Sequence, residues 1–249
     1  MDVNIISEFL SGRSKSKVYL AELNGIVGVY KTNIRDTAGI VHLSSRIPFR
    51  TPEIYEIDEH SIFMEYIQGN SMKDVLQNAD NHTIDVVADF ILSYIDFSLS
   101  SSYGMFDFSL EVNEKISQVS KYVPSDLFTG IRTSYPRTIV HGDFTFDNLI
   151  YTDGKISMID LSPSVFSSIH FDMNKFRQDI SGMWFVRTEV DRTPWVNACN
   201  KIYNSIQTAY PMLLDDSLYK LMISRIIPYC DNHVSDRNYV LGMLGLAEG

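Results

Sequence analysis

The chain has 249 residues, of which 45% are hydrophobic and 21% are charged, a composition typical of a globular protein with a substantial core. Its 31 acidic residues outnumber its 21 lysines and arginines, and the net charge of −10 argues against broad binding to nucleic acid or to anionic membranes. Residues 1–69 hold 7 of the basic and 9 of the acidic residues, so 14 and 22 follow Gly69 and most of the excess negative charge lies there.

The number of cysteines and the lengths of the apolar stretches indicate where in the cell the protein resides. Cys199 and Cys230 are too few for a disulfide framework, and the opening MDVNIISEFL lacks the basic and long apolar regions of an export signal. No stretch approaches the roughly 18 apolar residues of a membrane-spanning helix. We therefore expect a cytoplasmic protein without a membrane partner.

Strand-like patterns fill the first part of the chain. Asn24-Gly25 is a strong signal for a tight hairpin turn, and the stretch 33–47 has room for one short helix. The alternation of apolar residues between turn formers predicts a small, largely antiparallel sheet with strands at 5–10, 17–23, 26–31, 51–57 and 61–67. Residues 64–69 would form a one-strand connector to the remainder.

Helical patterns dominate after Gly69. Ser71 with Asp74 three residues later is a helix-capping pair. Two short apolar runs around Thr152-Asp153-Gly154 predict a β-hairpin within 138–159. Apolar residues at helical spacing predict helices from Thr83 and near 171–187, 194–209 and 215–229. The predicted fold is α+β with two lobes, a β lobe at 1–69 and a larger, mainly helical lobe at 70–249.

The densest polar cluster of the chain is IVHGDFTFDNLIY, residues 139–151, at the mouth of the predicted hairpin. Asp143 and Asn148 lie on the loop that enters the first strand, and Asp160 ends the second strand. A hairpin of this length brings Asn148 and Asp160 to the same end. Two such oxygen ligands suit Mg²⁺, which takes its remaining ligands from water and substrate phosphates. Asp143 would then be free to orient a substrate hydroxyl and accept its proton.

These residues also carry a family resemblance. His141-Gly142-Asp143, Asn148 five residues after Asp143, and Ile159-Asp160 together resemble the catalytic loop and metal motif of the aminoglycoside phosphotransferase and choline kinase branch of the protein-kinase-like superfamily. The resemblance implies a two-lobed kinase fold with Asp143 as catalytic base and Asn148 and Asp160 as ligands of Mg²⁺. The stretch FDMNKFRQDI, 171–180, resembles the helix that follows the metal strand in this family, where Asp172 would brace the catalytic loop.

The N-terminal part resembles the same family. FLSGRSKSKVYLAELNGIVGVYKT looks like the nucleotide-covering hairpin and the strand whose lysine contacts the ATP phosphates, which gives that role to Lys31. In FMEYIQG, 63–69, Glu65 and Ile67 would present backbone groups to adenine as the hinge does. The loop residues expected to cover the phosphates are Ser14, Lys15 and Ser16.

The chain departs from the family pattern near Lys31 and after Asp160. The family lysine is usually held by a helix glutamate, yet residues 33–50 contain no glutamate, and Asp36 is their only acid. Lys31 could be positioned by Asp36, by another residue, or poorly. Asp160 is followed by Leu161-Ser162-Pro163 without an adjacent glycine.

The resemblance implies an ATP- and Mg²⁺-dependent kinase for a hydroxyl of a small molecule such as an aminoglycoside, amino alcohol or sugar. The acidic C-terminal part is compatible with a cationic acceptor. A protein kinase is a second hypothesis, although about a dozen residues between Asp160 and Asp172 leave little room for a peptide-docking segment. A nucleotide-binding pseudokinase is the third, because of the missing glutamate. The acceptor and the choice between ATP and GTP stay open.

Overall fold

A five-stranded antiparallel sheet forms the N-terminal lobe. The computed structural model describes residues 1–9, 16–230 and 233–246. The strand order is β1-β2-β3-β5-β4, and the strands are β1 (Asn4–Glu8), β2 (Lys17–Leu23), β3 (Ile26–Thr32), β4 (Ile54–Asp58) and β5 (Ser61–Glu65). This sheet and the helical remainder confirm the predicted α+β fold with a small β lobe and a larger helical lobe.

Local turn chemistry explains why the central hairpin was predictable. Leu23 pairs with Ile26 across a two-residue turn, in which Asn24 and Gly25 have φ of 52° and 80°. Both values lie in the left-handed region that asparagine and glycine tolerate best. The turn therefore fixes the register of β2 against β3, and with it the position of Lys31 opposite Ile62 of β5.

The predicted short helix between the sheet strands is α1, Thr37–Ser44. Asp36 caps it, because its carboxylate accepts a hydrogen bond from the Gly39 amide at 2.7 Å. The helix packs close to the segment after Asp160, since a Cβ on Gly39 would lie 2.8 Å from the Pro163 ring.

The connector between the lobes is 66–69, which has no regular secondary structure. β5 ends at Glu65, two residues earlier than predicted. The connector is held against the hairpin of the helical lobe, because the Thr152 hydroxyl donates to the Gln68 carbonyl at 2.7 Å. A two-residue strand, β6 (Asn70–Ser71), then pairs with the first strand of the predicted hairpin, β9 (Leu149–Thr152), an addition that the sequence pattern did not predict.

The helical lobe contains seven further α-helices and two small sheets within the described residues. Its helices are α2 (Met72–Gln77), α3 (Asn81–Ser100), α4 (Ser109–Val119), α5 (Ile169–Ile180), α6 (Thr193–Ala209), α7 (Asp216–Ser224) and α8 (Val234–Met243), and its other strands are β7 (Met105–Asp107), β8 (Ser134–Pro136), β9 (Leu149–Thr152) and β10 (Lys155–Met158). α4, α8 and the β7-β8 pair were not predicted from the sequence.

Two predicted helices are shorter than expected. The helix predicted over 171–187 ends at Ile180, and after Met183, whose φ is 48°, a separate 3-10 turn begins at Trp184. The helix predicted over 215–229 ends at Ser224. Pro228 lies in the 3-10 turn beyond it, where its missing amide is compatible with a tight turn but not with a continued α-helix.

The main core lies beneath the loop that precedes β9. Phe144 and Phe146 of this loop are buried, with exposed fractions of 0% and 1%, and both pack on Phe176 of α5. Tyr94 of α3 stacks on Phe144 with ring centroids 4.5 Å apart. The two phenylalanines therefore anchor the loop from below and leave its polar side chains on the other face.

We predict that Gly69→Ala destabilises the protein. A Cβ at this position would lie 2.4 Å from the Thr152 hydroxyl and 2.7 Å from the Tyr151 carbonyl, so the connector must shift away from β9. Chemical denaturation should show a loss of about 1–3 kcal/mol in the free energy of unfolding. Gly242→Ala is the matched control, because a Cβ there meets no atom within 4 Å. An unchanged midpoint for Gly69→Ala would contradict the close packing of the connector.

Candidate active site

The β9-β10 hairpin places Asn148 beside the end of β10. Leu149 pairs with Met158, and the Ile159 amide donates to the Asn148 carbonyl at 2.9 Å. Asp160 follows directly, with a left-handed φ of 59° and a side chain that is 45% exposed. The hairpin thus brings residue 148 to the same end as residues 159 and 160.

His141 connects the loop to the segment around Asp160. Its Nε2 lies 2.8 Å from the Ile159 carbonyl, and its Nδ1 accepts from the Asp143 amide at 3.2 Å. This pair of contacts requires the neutral ring with its proton on Nε2. Burial lowers the pKa of His141 to about 4, so the ring stays neutral near pH 7. His141 therefore supports the loop.

Gly142 occupies a position that no other residue fits. Its φ is 81°, and a Cβ would lie 1.8 Å from the Ser162 carbonyl oxygen. The Ser162 amide also donates to the His141 carbonyl at 2.9 Å. The loop and the segment after Asp160 are thus in direct backbone contact, and this contact needs a glycine.

The predicted base and one predicted metal ligand are hydrogen-bonded to each other. Asn148 donates from Nδ2 to the Asp143 carbonyl at 2.7 Å and to the Asp143 carboxylate at 3.1 Å. With the amide nitrogen engaged, the Asn148 Oδ1 oxygen is the group left to bind a cation. Asn148 is 9% exposed, so its orientation is fixed by these bonds.

The oxygen donors of Asn148 and Asp160 suit Mg²⁺, an ion that takes only some of its ligands from the protein. Asn148 Oδ1 and the Asp160 carboxylate are hard oxygen ligands at one end of a rigid hairpin, and Mg²⁺ commonly uses one or two protein ligands together with water and phosphate oxygens. Among the residues that the structure describes, no group of three or more His, Cys, Asp or Glu side chains is arranged to hold a metal ion.

Lys31 of β3 forms an ion pair with Asp160 across the two lobes. The Lys31 side chain is 15% exposed. Asp36, one of the partners considered from the sequence, caps α1 instead. The pocket behind the pair measures about 30 Å³, and α1 contributes Ile40 and Ser44 to its wall. An apolar residue and a hydroxyl from α1 thus face the space beside Lys31.

The other residues predicted to contact the nucleotide lie in the loop before β2 and at the connector between the lobes. Ser14 and Lys15 lie outside the described residues, and Ser16 makes a long 3.5 Å contact with the Asn33 carbonyl. The Glu65 amide already donates to the Glu53 carbonyl at 2.8 Å, so its carbonyl is the backbone group that remains a candidate for adenine. Ile67 lies in the connector 66–69.

Helix α5 holds the loop through three polar side chains on one of its faces. Asp172 accepts from the Gly142 amide at 3.1 Å, and Asp179 accepts from the Phe146 amide at 2.8 Å. Between them, Lys175 forms an ion pair with the Asp143 carboxylate. The spacing of three and four residues places all three side chains on the same side of the helix.

Burial shifts the pKa values of the three polar side chains on this face of α5. It raises the pKa of Asp172 to about 6 and that of Asp179 to about 7, with Asp147 adding repulsion to the latter. Burial, followed by repulsion from Arg225, lowers the pKa of Lys175 to about 7. Contact with the Asp143 carboxylate acts in the opposite direction and favours the ammonium form.

Lys175 is the residue of this site that the sequence reasoning missed. It lies inside FDMNKFRQDI, the stretch already noted for its resemblance. Asp172, Lys175 and Asp179 lie there in the same segment as the apolar residues Met173 and Phe176. Polar residues at helical spacing within an otherwise buried helix were the available signal, because a helix seldom buries charges without partners.

We predict that Tyr94→Phe weakens the attachment of the loop. The Tyr94 hydroxyl donates to Asp172 at 2.7 Å and accepts from the His141 amide at 2.7 Å. Its removal leaves both groups short of a partner in a buried place, and the free energy of unfolding should fall by about 1–3 kcal/mol. Tyr103→Phe, at a side chain that is 58% exposed, is the control. Equal denaturation midpoints for both variants would contradict the role assigned to Tyr94.

We predict that His141 titrates near pH 4 in the folded protein. Its pKa is lowered from 6.5, so the neutral ring stabilises the fold above pH 6.5, and this contribution is lost as the pH falls toward 4. NMR titration of isotopically labelled histidine should show the low midpoint, with His141→Asn used to assign the resonance. A midpoint of 6 or higher would show that the ring is accessible to solvent.

Comparison with known proteins identifies the fold. No protein-family model and no curated protein sequence matches the chain. Among solved structures, one similar protein is a thermostable mutant of aminoglycoside phosphotransferase APH(4)-Ia in a ternary complex with ADP and hygromycin B. Its sequence is 15% identical to this chain, the TM-score is 0.64, and the match covers 98% of this chain and 93% of the phosphotransferase chain. A glucosamine kinase is 14% identical with a TM-score of 0.57 over 93% and 76% of the two chains. ADP-bound aminoglycoside phosphotransferase APH(2'')-Ib is 13% identical with a TM-score of 0.52 over 98% and 92%. The chain therefore has the same fold as these aminoglycoside phosphotransferases and the glucosamine kinase.

Proposed function

We propose that the protein is an ATP- and Mg²⁺-dependent phosphotransferase that phosphorylates a hydroxyl of a small molecule. The observation that carries the proposal is the convergence of Asp143, Asn148, Asp160 and Lys31. The Asn148 amide bonds to Asp143, its backbone bonds to the residue before Asp160, and Asp160 pairs with Lys31. A base, two metal-binding oxygens and a phosphate-binding cation are the parts that phosphoryl transfer requires.

Asp143 takes the role of base in this proposal. Its carboxylate is 36% exposed, so an acceptor hydroxyl can reach it, and the bond from Asn148 holds it in one orientation. The carboxylate would orient the hydroxyl and take up its proton as the oxygen attacks the γ-phosphorus. Phosphoryl transfer needs little more than this positioning and the neutralisation of charge.

Asn148 and Asp160 would hold Mg²⁺. When bound, the ion neutralises charge on the nucleotide phosphates and orients them. The contribution of the chain is a rigid β9-β10 hairpin that fixes both oxygen donors before any nucleotide arrives.

Lys31 would bind the phosphates of the nucleotide. In the free protein its ammonium contacts Asp160, and incoming phosphate oxygens would compete for it. The pair keeps the lysine in the cleft although α1 supplies no glutamate, so the proposal does not need a helix partner for Lys31. A pseudokinase remains the alternative, because the same missing glutamate is its main support.

The acceptor that best fits the proposal is an amine-bearing sugar or a related alcohol. The similar structures include a glucosamine kinase and an aminoglycoside phosphotransferase with bound hygromycin B. The excess of acidic residues after Gly69 is compatible with a cationic acceptor. None of the described helices has the length and apolar character to cross a membrane.

A peptide acceptor fits less well. Only the stretch 161–168 separates Asp160 from the start of α5 at Ile169, and the backbone of Ser162 is already bonded to the catalytic loop. This leaves little chain to form the docking segment that a protein kinase uses.

We predict that Asp143→Asn abolishes most of the transfer while nucleotide binding persists. Incubation with Mg-ATP and pools of aminoglycosides, amino alcohols, sugars and generic protein substrates should reveal transfer to a small molecule. The substitution should lower kcat by about 10²–10⁴-fold, because the base is lost but the metal ligands stay. Product formation is measured by mass spectrometry and nucleotide binding by calorimetry.

The control for this substitution is Asp153→Asn in the exposed turn between β9 and β10. Asp153 has φ of 48°, which asparagine tolerates equally well, so activity should match that of the wild type. Nucleotide binding without transfer to any pool would instead favour a pseudokinase, and transfer to the protein pool alone would favour a protein kinase.

A further inference from the structure

We propose that Lys175 is a further catalytic residue, whose ammonium group leaves Asp143 to contact the γ-phosphoryl group when the nucleotide is bound. The inference rests on the proposed function and assigns a residue to the acceptor side of the same site. It starts from the ion pair between Lys175 and Asp143, which no comparison with known proteins assigns.

The position of Lys175 makes this contact possible. It lies on α5 between Asp172 and Asp179, which bind the loop at Gly142 and Phe146. Its backbone is therefore fixed relative to Asp143. Its side chain is 21% exposed, so the ammonium group lies at the border between the core and the cleft. A buried helix presents this one cation directly to the proposed base.

The charges of the loop create a need for such a cation. Residues 141–148 include the carboxylates of Asp143 and Asp147 but no lysine or arginine. In the proposed reaction the Asp143 carboxylate and the γ-phosphate, both negative, approach the same hydroxyl. Lys31 is paired with Asp160 on the nucleotide side. Lys175 contacts the proposed base on the acceptor side, where it can reduce this repulsion.

The distances involved are within the reach of a lysine. A hydroxyl bonded to Asp143 lies about 2.6–3.2 Å from the carboxylate, and its oxygen attacks phosphorus from about 3–3.5 Å. The phosphoryl oxygens are therefore a few ångströms from the place that the Lys175 ammonium occupies now. The flexible four-carbon stem of lysine spans such a distance by side-chain rotation.

The reaction step balances without any further reactant. The bond between the hydroxyl oxygen and the γ-phosphorus forms while the bond from that phosphorus to the bridging oxygen of ADP breaks. Asp143 takes the hydroxyl proton, and ADP leaves with the bond's electron pair. Lys175 takes part in its protonated form, exchanges no proton in this step and contributes positive charge near the phosphoryl oxygens. Its release from Asp143 also frees a carboxylate oxygen to receive the proton.

Lysine substitutions combined with two nucleotides test the contact. Lys175→Met should weaken binding of Mg-AMP-PNP, which has a γ-phosphate, by about tenfold or more. Binding of Mg-ADP should change by less than about twofold, because ADP has no group for Lys175 to contact. Lys175→Arg keeps the charge and should recover part of the affinity. The control is Lys201→Met, which removes an ion pair between α6 and Asp85 of α3 and should change neither affinity.

The same measurement in an Asp143→Asn background separates a phosphate contact from a purely structural role. If Lys175 acts on the γ-phosphate, Lys175→Met weakens AMP-PNP binding in this background too. If it serves only to hold Asp143, its substitution has no effect there, and the inference is wrong. An equal loss for ADP and AMP-PNP would also overturn it, as would wild-type affinity for both.

The outcome for Lys175 is distinguishable from the outcome for the proposed function. A wild-type protein that binds both nucleotides but transfers no phosphate refutes the enzyme proposal, while the ratio of the two affinities still decides the contact. A wild-type protein that transfers phosphate while Lys175→Met keeps its kcat refutes the contact alone. Absence of nucleotide binding by the wild type would refute both.

Discussion

The arrangement of the site depends on how the backbone of the loop 141–148 satisfies its hydrogen bonds. The amides of Gly142 and Phe146 lie outside any strand, the first partly buried and the second buried, and the carboxylates of Asp172 and Asp179 on α5 accept from them. Buried carboxylates are costly unless they accept such bonds, and burial raises the pKa of both. The loop and α5 therefore stabilise each other, because neither could be buried alone.

This mutual dependence explains the rigidity of the proposed base. The phenylalanines of the loop pack into the core below, and its amides are bound by α5 from the side. The side chain of Asp143 is then held by Asn148 and Lys175. Such preorganisation is a main source of electrostatic advantage in enzymes, and in the proposed reaction only the Lys175 contact is exchanged while the bond from Asn148 stays.

The two lobes meet at the same place. Lys31 comes from the sheet and Asp160 from the end of the hairpin, and their ion pair links the two lobes. The backbone bond from Met158 to the Arg50 carbonyl, at 2.8 Å, adds a second link between the lobes. Under the proposed function, the phosphates of a bound nucleotide would replace Asp160 as the partner of Lys31, and the bond between Met158 and Arg50 would stay in place.

The sequence by itself determined the elements whose signals are local. The Asn24-Gly25 turn, the cap at Ser71 and the hairpin around Asp153-Gly154 follow from backbone preferences of a few residues. The closeness of Asn148 to Asp160 could be predicted because the two strands of a hairpin bring residues that are distant in sequence to the same end. The sites predicted at Ser14 and Lys15 stay predictions.

Only the tertiary structure decided which side chains pair across long separations. That Lys31 contacts Asp160 while Asp36 caps a helix, and that Lys175 faces Asp143 from another helix, depends on the packing of α1 and α5 against the hairpin. The end of α5 at Ile180 was not predicted, because the apolar period continues beyond it although Ser181-Gly182 is a helix-stop signal. The spacing of apolar residues indicates which face of a helix or strand is buried, but the packing of the whole chain determines what that face contacts.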